Sequence, residues 1–116
     1  VNASTGQSRL HRIEGRATAV GGSGLAALLF ERFGRVDLPW NEEEQPFILA
    51  IGPLTGCFPL MSKTVAAFKS PYHDQYTESH AGGRSALALK FADLDGLVIT
   101  GRAPILSSLE IGSRHI

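Results

Sequence analysis

Gly82-Gly83-Arg84 is the stretch of this chain best suited to gripping an anion. The residues from 83 to 93 pattern as a helix. The first backbone N–H groups of a helix have no internal partner and can donate to a phosphate. On residue types alone the same glycine pair reads first as a tight loop-to-helix turn with no ligand, since glycine pairs are common turn signals. Arg84 either adds charge to such a site or stands in solvent, where a first-turn cation works against the helix dipole. Lys63 heads a strand-like segment, where a solvated lysine is the ordinary case. His73 and His80 lie in a polar run, too far apart for a helical metal pair, and exposed loop histidines are the default there. His11 and His115 sit in strand-like segments without a partner pattern.

Cys57 is the only cysteine, so no intrachain disulfide can form. One thiolate cannot hold a structural zinc or an iron–sulfur cluster. A small buried hydrophobe is the common fate of such a residue, and a nucleophilic role would need a neighbouring histidine or cation. Glu42-Glu43-Glu44 brings carboxylate chemistry or calcium to mind, but adjacent carboxylates on one loop usually point into water. Gly21-Gly22-Ser23-Gly24 lacks the G-x-G-x-x-G spacing, and there is no Gly-Lys-Ser/Thr loop, which argues against nucleotide binding.

Eleven basic side chains balance eleven acidic ones and are scattered, so nothing draws the chain to nucleic acid or anionic lipid. A hydrophobic content of 43% with 19% charged residues places it among globular chains, and 116 residues suffice for one core. No apolar run approaches a membrane span and no leader pattern opens the chain, so a cytoplasmic location is the default expectation. The chain opens at Val1 without an initiator Met, which suggests processing or a fragment.

The elements follow from periodicity. Val1–Ser4 reads as the tail of a strand turning at Ser4-Thr5-Gly6, and Arg9–Glu14 alternates as a half-buried strand does. Ala17–Phe33 predicts a helix, with Thr18 as a possible N-cap, Leu25, Leu28, Leu29 and Phe33 as its apolar stripe and Gly34 as its stop. Arg35–Gln45 is a loop. Phe47–Ile51, bounded by Pro46 and Gly52-Pro53, suits a strand buried on both faces. Lys63–Phe68 is a second strand, closed by Lys69-Ser70-Pro71, and Tyr72–His80 a polar surface loop. Gly83–Asp93 predicts a helix with Leu87, Leu89 and Phe91 among its apolar positions. Leu97–Thr100 is a strand, 101–104 a turn and Ser107–Ile111 a final strand. Strands, helix, strands, helix, strands favour an α+β layered domain over a doubly wound sheet.

Read together, Val1-Asn2-Ala3-Ser4-Thr5-Gly6, Gly21–Ala26, Gly52-Pro53-Leu54-Thr55-Gly56, Lys69-Ser70-Pro71, Ala81-Gly82-Gly83, Leu89-Lys90-Phe91-Ala92 and Val98–Gly101 form a colinear set. The set resembles the N-terminal domain of the tungsten-pterin aldehyde:ferredoxin oxidoreductases across nearly the whole chain, with ungapped spacing from Ser62 to Ala103. The resemblance implies that family's α+β fold and a domain that is the base for a tungsten or molybdenum bis-pterin cofactor. In complete members, later domains supply the cysteines of a [4Fe–4S] cluster, which is not within this chain. Those enzymes oxidise aldehydes to carboxylic acids and pass electrons toward ferredoxin. The metal is held by pterin dithiolenes, so no catalytic residue and no metal ligand is expected here, and the chain alone is not expected to be active.

By the same resemblance the cofactor-binding positions are Lys63, His80, Gly82 and Gly83. Lys63 stands where the family has arginine, which keeps the charge and loses the two-pronged donor. His80 stands where the family has asparagine, and imidazole is a poor magnesium ligand beside an amide oxygen. Ser23 and Thr64 replace a further arginine and tyrosine. The competing expectation is a non-catalytic module that kept the fold and lost the cofactor. Unpaired sheet edges would then favour a homodimer or a partner subunit; otherwise the partners are the remaining oxidoreductase domains, and ferredoxin only through a complete enzyme.

Overall fold

The apolar run Phe47–Ile51 forms β1, an inner strand of a four-stranded antiparallel sheet, in a computed structural model that describes residues 1–14 and 20–112. The other strands are β2 (Thr64–Lys69), β3 (Tyr76–Ala81) and β4 (Gly96–Ile99), in the order β3-β2-β1-β4. Ile48 stands opposite Ala67 and Val98, and Val65 opposite His80. Two helices, α1 (Gly22–Phe33) and α2 (Ser85–Phe91), cover opposite faces.

Strand side chains alternate between faces, so β1 feeds two cores. Ile48 and Ala50 join Val65 and Ala67 beneath Leu25, Ala26 and Leu29 of α1, with Ile13, Phe30, Phe33 and Val98 packed at the margin. Ile51, with Leu49, meets Ala86 and Leu89 of α2 and Leu94 on the other side. A strand buried on both faces, as its unbroken apolar run predicts, is what the fold contains. Close approach of α1 depends on Gly22, where a Cβ would sit 2.8 Å from Val65 Cγ2.

Both helices are shorter than their sequence pattern. α1 begins at Gly22 after Gly21, whose φ of +94° lies outside the helical region; Thr18, the expected cap, is outside the described residues. Gly34 is the stop as expected, its N–H reaching Phe30 O at 2.7 Å. α2 begins at Ser85 because Gly83, at φ +99°, cannot belong to it. It closes where Asp93 turns left-handed (φ +59°) and Leu94 N–H donates to Leu89 O. Phe91, an apolar position of the pattern, is exposed.

Four expectations are corrected. Arg9–Glu14 and Ser107–Ile111 form no strand; alternation makes a segment suitable for a sheet, but both lie along no ladder and are exposed apart from Ile13 and Ile111. Val1–Ser4 contributes only isolated bridges, Asn2 to Gln7 and to Thr100, around the expected turn at Gly6. The polar run 72–80, read as a loop, is a hairpin turn and most of β3, polar because β3 is the outermost strand. Among the described residues no helix is long and apolar enough to cross a membrane.

Candidate functional site

The Gly-Pro-Leu-Thr-Gly segment leaves β1 and runs through successive turns to Ser62. Thr55 N–H donates to Gly52 O (3.1 Å), Cys57 N–H to Leu54 O (3.0 Å) and Gly56 N–H to Ser62 Oγ (3.1 Å). Gly56, at φ +79°, presses on α2, with 3.3 Å left between a Cβ there and Leu87 Cδ2. At the start of β2 the Thr64 hydroxyl bonds that of Ser85 (2.8 Å), tying the first turn of α2 to the sheet and drawing the 82–84 connection alongside Lys63. The result is a shallow depression of about 700 Å³ lined by Gly56–Leu60, Ser62, Lys63, Gly82, Gly83 and Leu87.

Lys63, Gly82 and Gly83 are therefore brought together from separate elements. Lys63 is exposed and makes no hydrogen bond or ion pair among the described residues, and no carboxylate lines the depression. A Cβ at Gly82 or Gly83 would meet nothing within 4 Å, so their backbone is open to a ligand. Arg84, the residue before α2, is likewise exposed. Cys57 is exposed in the same depression, contrary to the buried fate common for a lone cysteine. Thr55 is buried, and its Oγ1 has no partner among the described residues.

His80 lies at the same end of the sheet, one register step along β3, but it does not line the depression. Tyr76, Glu78 and His80 alternate onto the α1 face. The Tyr76 hydroxyl and Ser23 Oγ (2.7 Å) donate to the Glu78 carboxylate, and His80 Nε2 lies 3.2 Å from it. The Tyr76 ring also stands edge-on to Phe30 of α1, 5.0 Å between centroids. This network latches β3 to the first turn of α1, a role that sequence reading missed. The signal for it was the period-two spacing of Tyr76, Glu78 and His80.

Hydrogen bonding from Tyr76, then from Ser23 and His80, holds the Glu78 carboxyl below its ordinary range against the opposing effect of burial. Burial first, then the Glu78 bond, raises the Tyr76 phenol. A carboxylate with a depressed folded-state pKa contributes stability that is present above its unfolded value and lost as pH falls through the folded one. Wild-type protein is therefore expected to melt higher than Glu78→Gln at neutral pH, with the gap closing below the ordinary glutamate value of 4.5. Thermal melts at stepped pH check this; a gap that persists in strong acid refutes it.

Other candidates resolve as ordinary structure. Glu44 and Asp37 pair with Arg35, and Glu43 lies 4.0 Å from Arg102, so the acidic run is a charged loop as expected. His73 is exposed in the β2–β3 turn, His11 packs edge-on to Phe33 (5.9 Å), and His115 lies outside the described residues. Among the described residues no group of three or more His, Cys, Asp or Glu could hold a metal. A larger groove of about 960 Å³ lies between residues 7–13, α1 and β4; it carries none of the anion-binding candidates. A cationic rim with exposed glycine backbone fits the phosphate-bearing portion of a pterin cofactor.

The whole chain, residues 1–116, matches the family described as aldehyde ferredoxin oxidoreductase, N-terminal domain. It is 34% identical to the tungsten-containing aldehyde ferredoxin oxidoreductase of Pyrococcus furiosus over all of its own length. It is 39% identical to the aliphatic sulfonate oxidoreductase, WOR-like subunit, of the same organism over 72% of its length. It spans only 20% and 14% of those relatives. Its fold matches the active-site complex BamBC of benzoyl coenzyme A reductase with a TM-score of 0.78 at 26% identity, covering 91% of this chain and 17% of that one. With the family model matched along its entire length and a related fold over 91% of it, the chain belongs to the aldehyde ferredoxin oxidoreductase N-terminal domain family.

Proposed function

We propose that this chain is the base of a tungsten or molybdenum bis-pterin pocket, working with further oxidoreductase domains that oxidise an aldehyde to a carboxylic acid and pass electrons to ferredoxin. The observation that carries the reading is the depression where Lys63 meets Gly82 and Gly83 with no carboxylate nearby. Lys63 supplies a compact positive charge to a phosphate. The glycine backbone allows approach closer than any side chain would. When bound, the cofactor supplies the two-electron redox chemistry. This chain's part is to hold and orient it, through Lys63 and the open backbone of Gly82 and Gly83. The relatives' names span an aldehyde, an aliphatic sulfonate and a coenzyme A thioester, a spread that supports a shared holding role for this domain.

Protein isolated anaerobically from tungstate-supplied cells is expected to carry tungsten or molybdenum and to show pterin fluorescence after oxidation. Lys63→Glu is expected to lose both while its circular dichroism stays unchanged. Metal-free wild-type protein without pterin fluorescence would remove the reading. One observation favours a second reading, a module that kept the fold and lost the cofactor: His80, at the family's asparagine position, bonds Glu78 on the α1 face and stands outside the depression.

A further inference from the structure

Residues 82–84 form a short arch between β3 and α2, and both of its ends are held by Thr64. Ala81, just before the arch, pairs with Thr64 in the β2–β3 ladder. Ser85, just after it, bonds the Thr64 hydroxyl at 2.8 Å. Four extended residue steps could span about 13 Å, yet both ends return to one residue, so the segment folds back on itself. Gly83, at φ +99°, makes that reversal.

Little else fixes the arch. Among the described residues the Thr64–Ser85 bond is the one side-chain hydrogen bond that reaches residues 82–85, and the N–H groups of Gly82 and Gly83 donate to no other group. α2 itself is seven residues long and is buried only at Ala86 and Leu89. Thr64, by contrast, cannot drift: it is 4% exposed and stands in register with Ile51 of β1 on one side and Ala81 on the other.

We propose, on the reading of the depression as a phosphate site, that Thr64 is its positioning residue: through Ser85 it sets the spacing between Lys63 and the Gly82–Gly83 backbone at which a diphosphate is held. Lys63 immediately precedes Thr64. The cation and the glycine arch, drawn from separate parts of the chain, are thus referred to adjacent residues at the start of β2. Donors already held in place lose little freedom on binding, whereas a loose arch has to be ordered by the ligand at a cost in affinity. The same bond matters less to folding. Thr64→Val deprives only Ser85 of its partner, and Ser85 is exposed, so water satisfies the hydroxyl left behind.

Titration of the protein with inorganic pyrophosphate, followed by amide NMR well below the melting transition, tests this. Wild type is expected to bind with shifts at the Gly82 and Gly83 amides, and Lys63→Gln to lose binding. Thr64→Val is expected to weaken binding about tenfold. It should also displace the Gly82 and Gly83 resonances of the free protein while its melting temperature barely moves. Thr64→Ser, which keeps the hydroxyl, is expected to bind within about twofold of wild type. Ser85→Ala breaks the same bond from the other side and is expected to match Thr64→Val, with the double variant no weaker than either. Lys63-dependent binding that folded Thr64→Val or Ser85→Ala leaves at the wild-type affinity overturns the positioning role and leaves the phosphate reading standing. Thr64→Ser binding as poorly as Thr64→Val overturns it too. Wild type without Lys63-dependent binding overturns both. Should Thr64→Val fail to fold, Ser85→Ala decides.

Discussion

Gly101→Ala is expected to cost about 3 kcal/mol of stability, adding a left-handed backbone to an overpacked contact. Gly101 has φ +82°, and a Cβ there would sit 2.6 Å from Ser4 Oγ, 2.7 Å from Asn2 Oδ1 and 2.8 Å from Ser4 N. The last of these is backbone and cannot swing aside. Asn2 Oδ1 already takes the N–H of Ser4 (2.9 Å), and Ser4 Oγ that of Arg102 (2.9 Å), so yielding breaks bonds on both strands of the contact. Gly6 supplies the control: its φ is +69°, but a Cβ there meets nothing within 4 Å. Gly6→Ala should therefore carry only the backbone penalty, about 1 kcal/mol. Urea unfolding of the two variants separates conformation from crowding, and equal losses would refute the packing account.

The second large effect lies at Lys69, the lysine of Lys-Ser-Pro. Its side chain is 6% exposed, and Nζ donates to Val36 O (3.1 Å) and Leu38 O while lying 3.4 Å from Asp74 Oδ2. Asp74 in turn accepts the Trp40 N–H at 2.7 Å. One cation thus pins the 35–45 loop to the β2–β3 turn. Lys69→Met keeps most of the apolar stem and strands two carbonyls and a carboxylate. A loss of about 2–4 kcal/mol is expected, toward the lower end because Asp74 remains half exposed to water. Urea unfolding measures the loss. A change under about 0.5 kcal/mol, the ordinary range of an exposed substitution, would mean that water replaces the clamp freely.

Legibility of the fold followed burial. The run Phe47–Ile51 is apolar at nearly every position because both faces are covered, and it was readable as a buried strand. The stripe Leu25, Leu29 and Phe33 marked α1 for the same reason. β3 was opaque because an outermost strand satisfies its ladder through the backbone, and its polar residues carry the composition of a loop. Arg9–Glu14 shows the converse: alternation without a neighbouring strand makes no sheet.

The candidate site was legible in part. Lys63, Gly82 and Gly83 were singled out by their positions in the colinear motif set, and the fold brings them to one depression. The direction of the His80 ring was not readable, since it depends on Glu78, Ser23 and the parity of an unrecognised strand. Nor was the task of Lys69, whose carbonyl partners lie 31 and 33 residues away and leave no mark in residue type.

The interior of this domain is split by its own sheet. The larger apolar cluster lies under α1, whereas the smaller one anchors α2 through Ala86 and Leu89, the helix whose Leu87 borders the depression with Gly82 and Gly83. Such partition separates the packing that holds the sheet to α1 from the packing that shapes the depression.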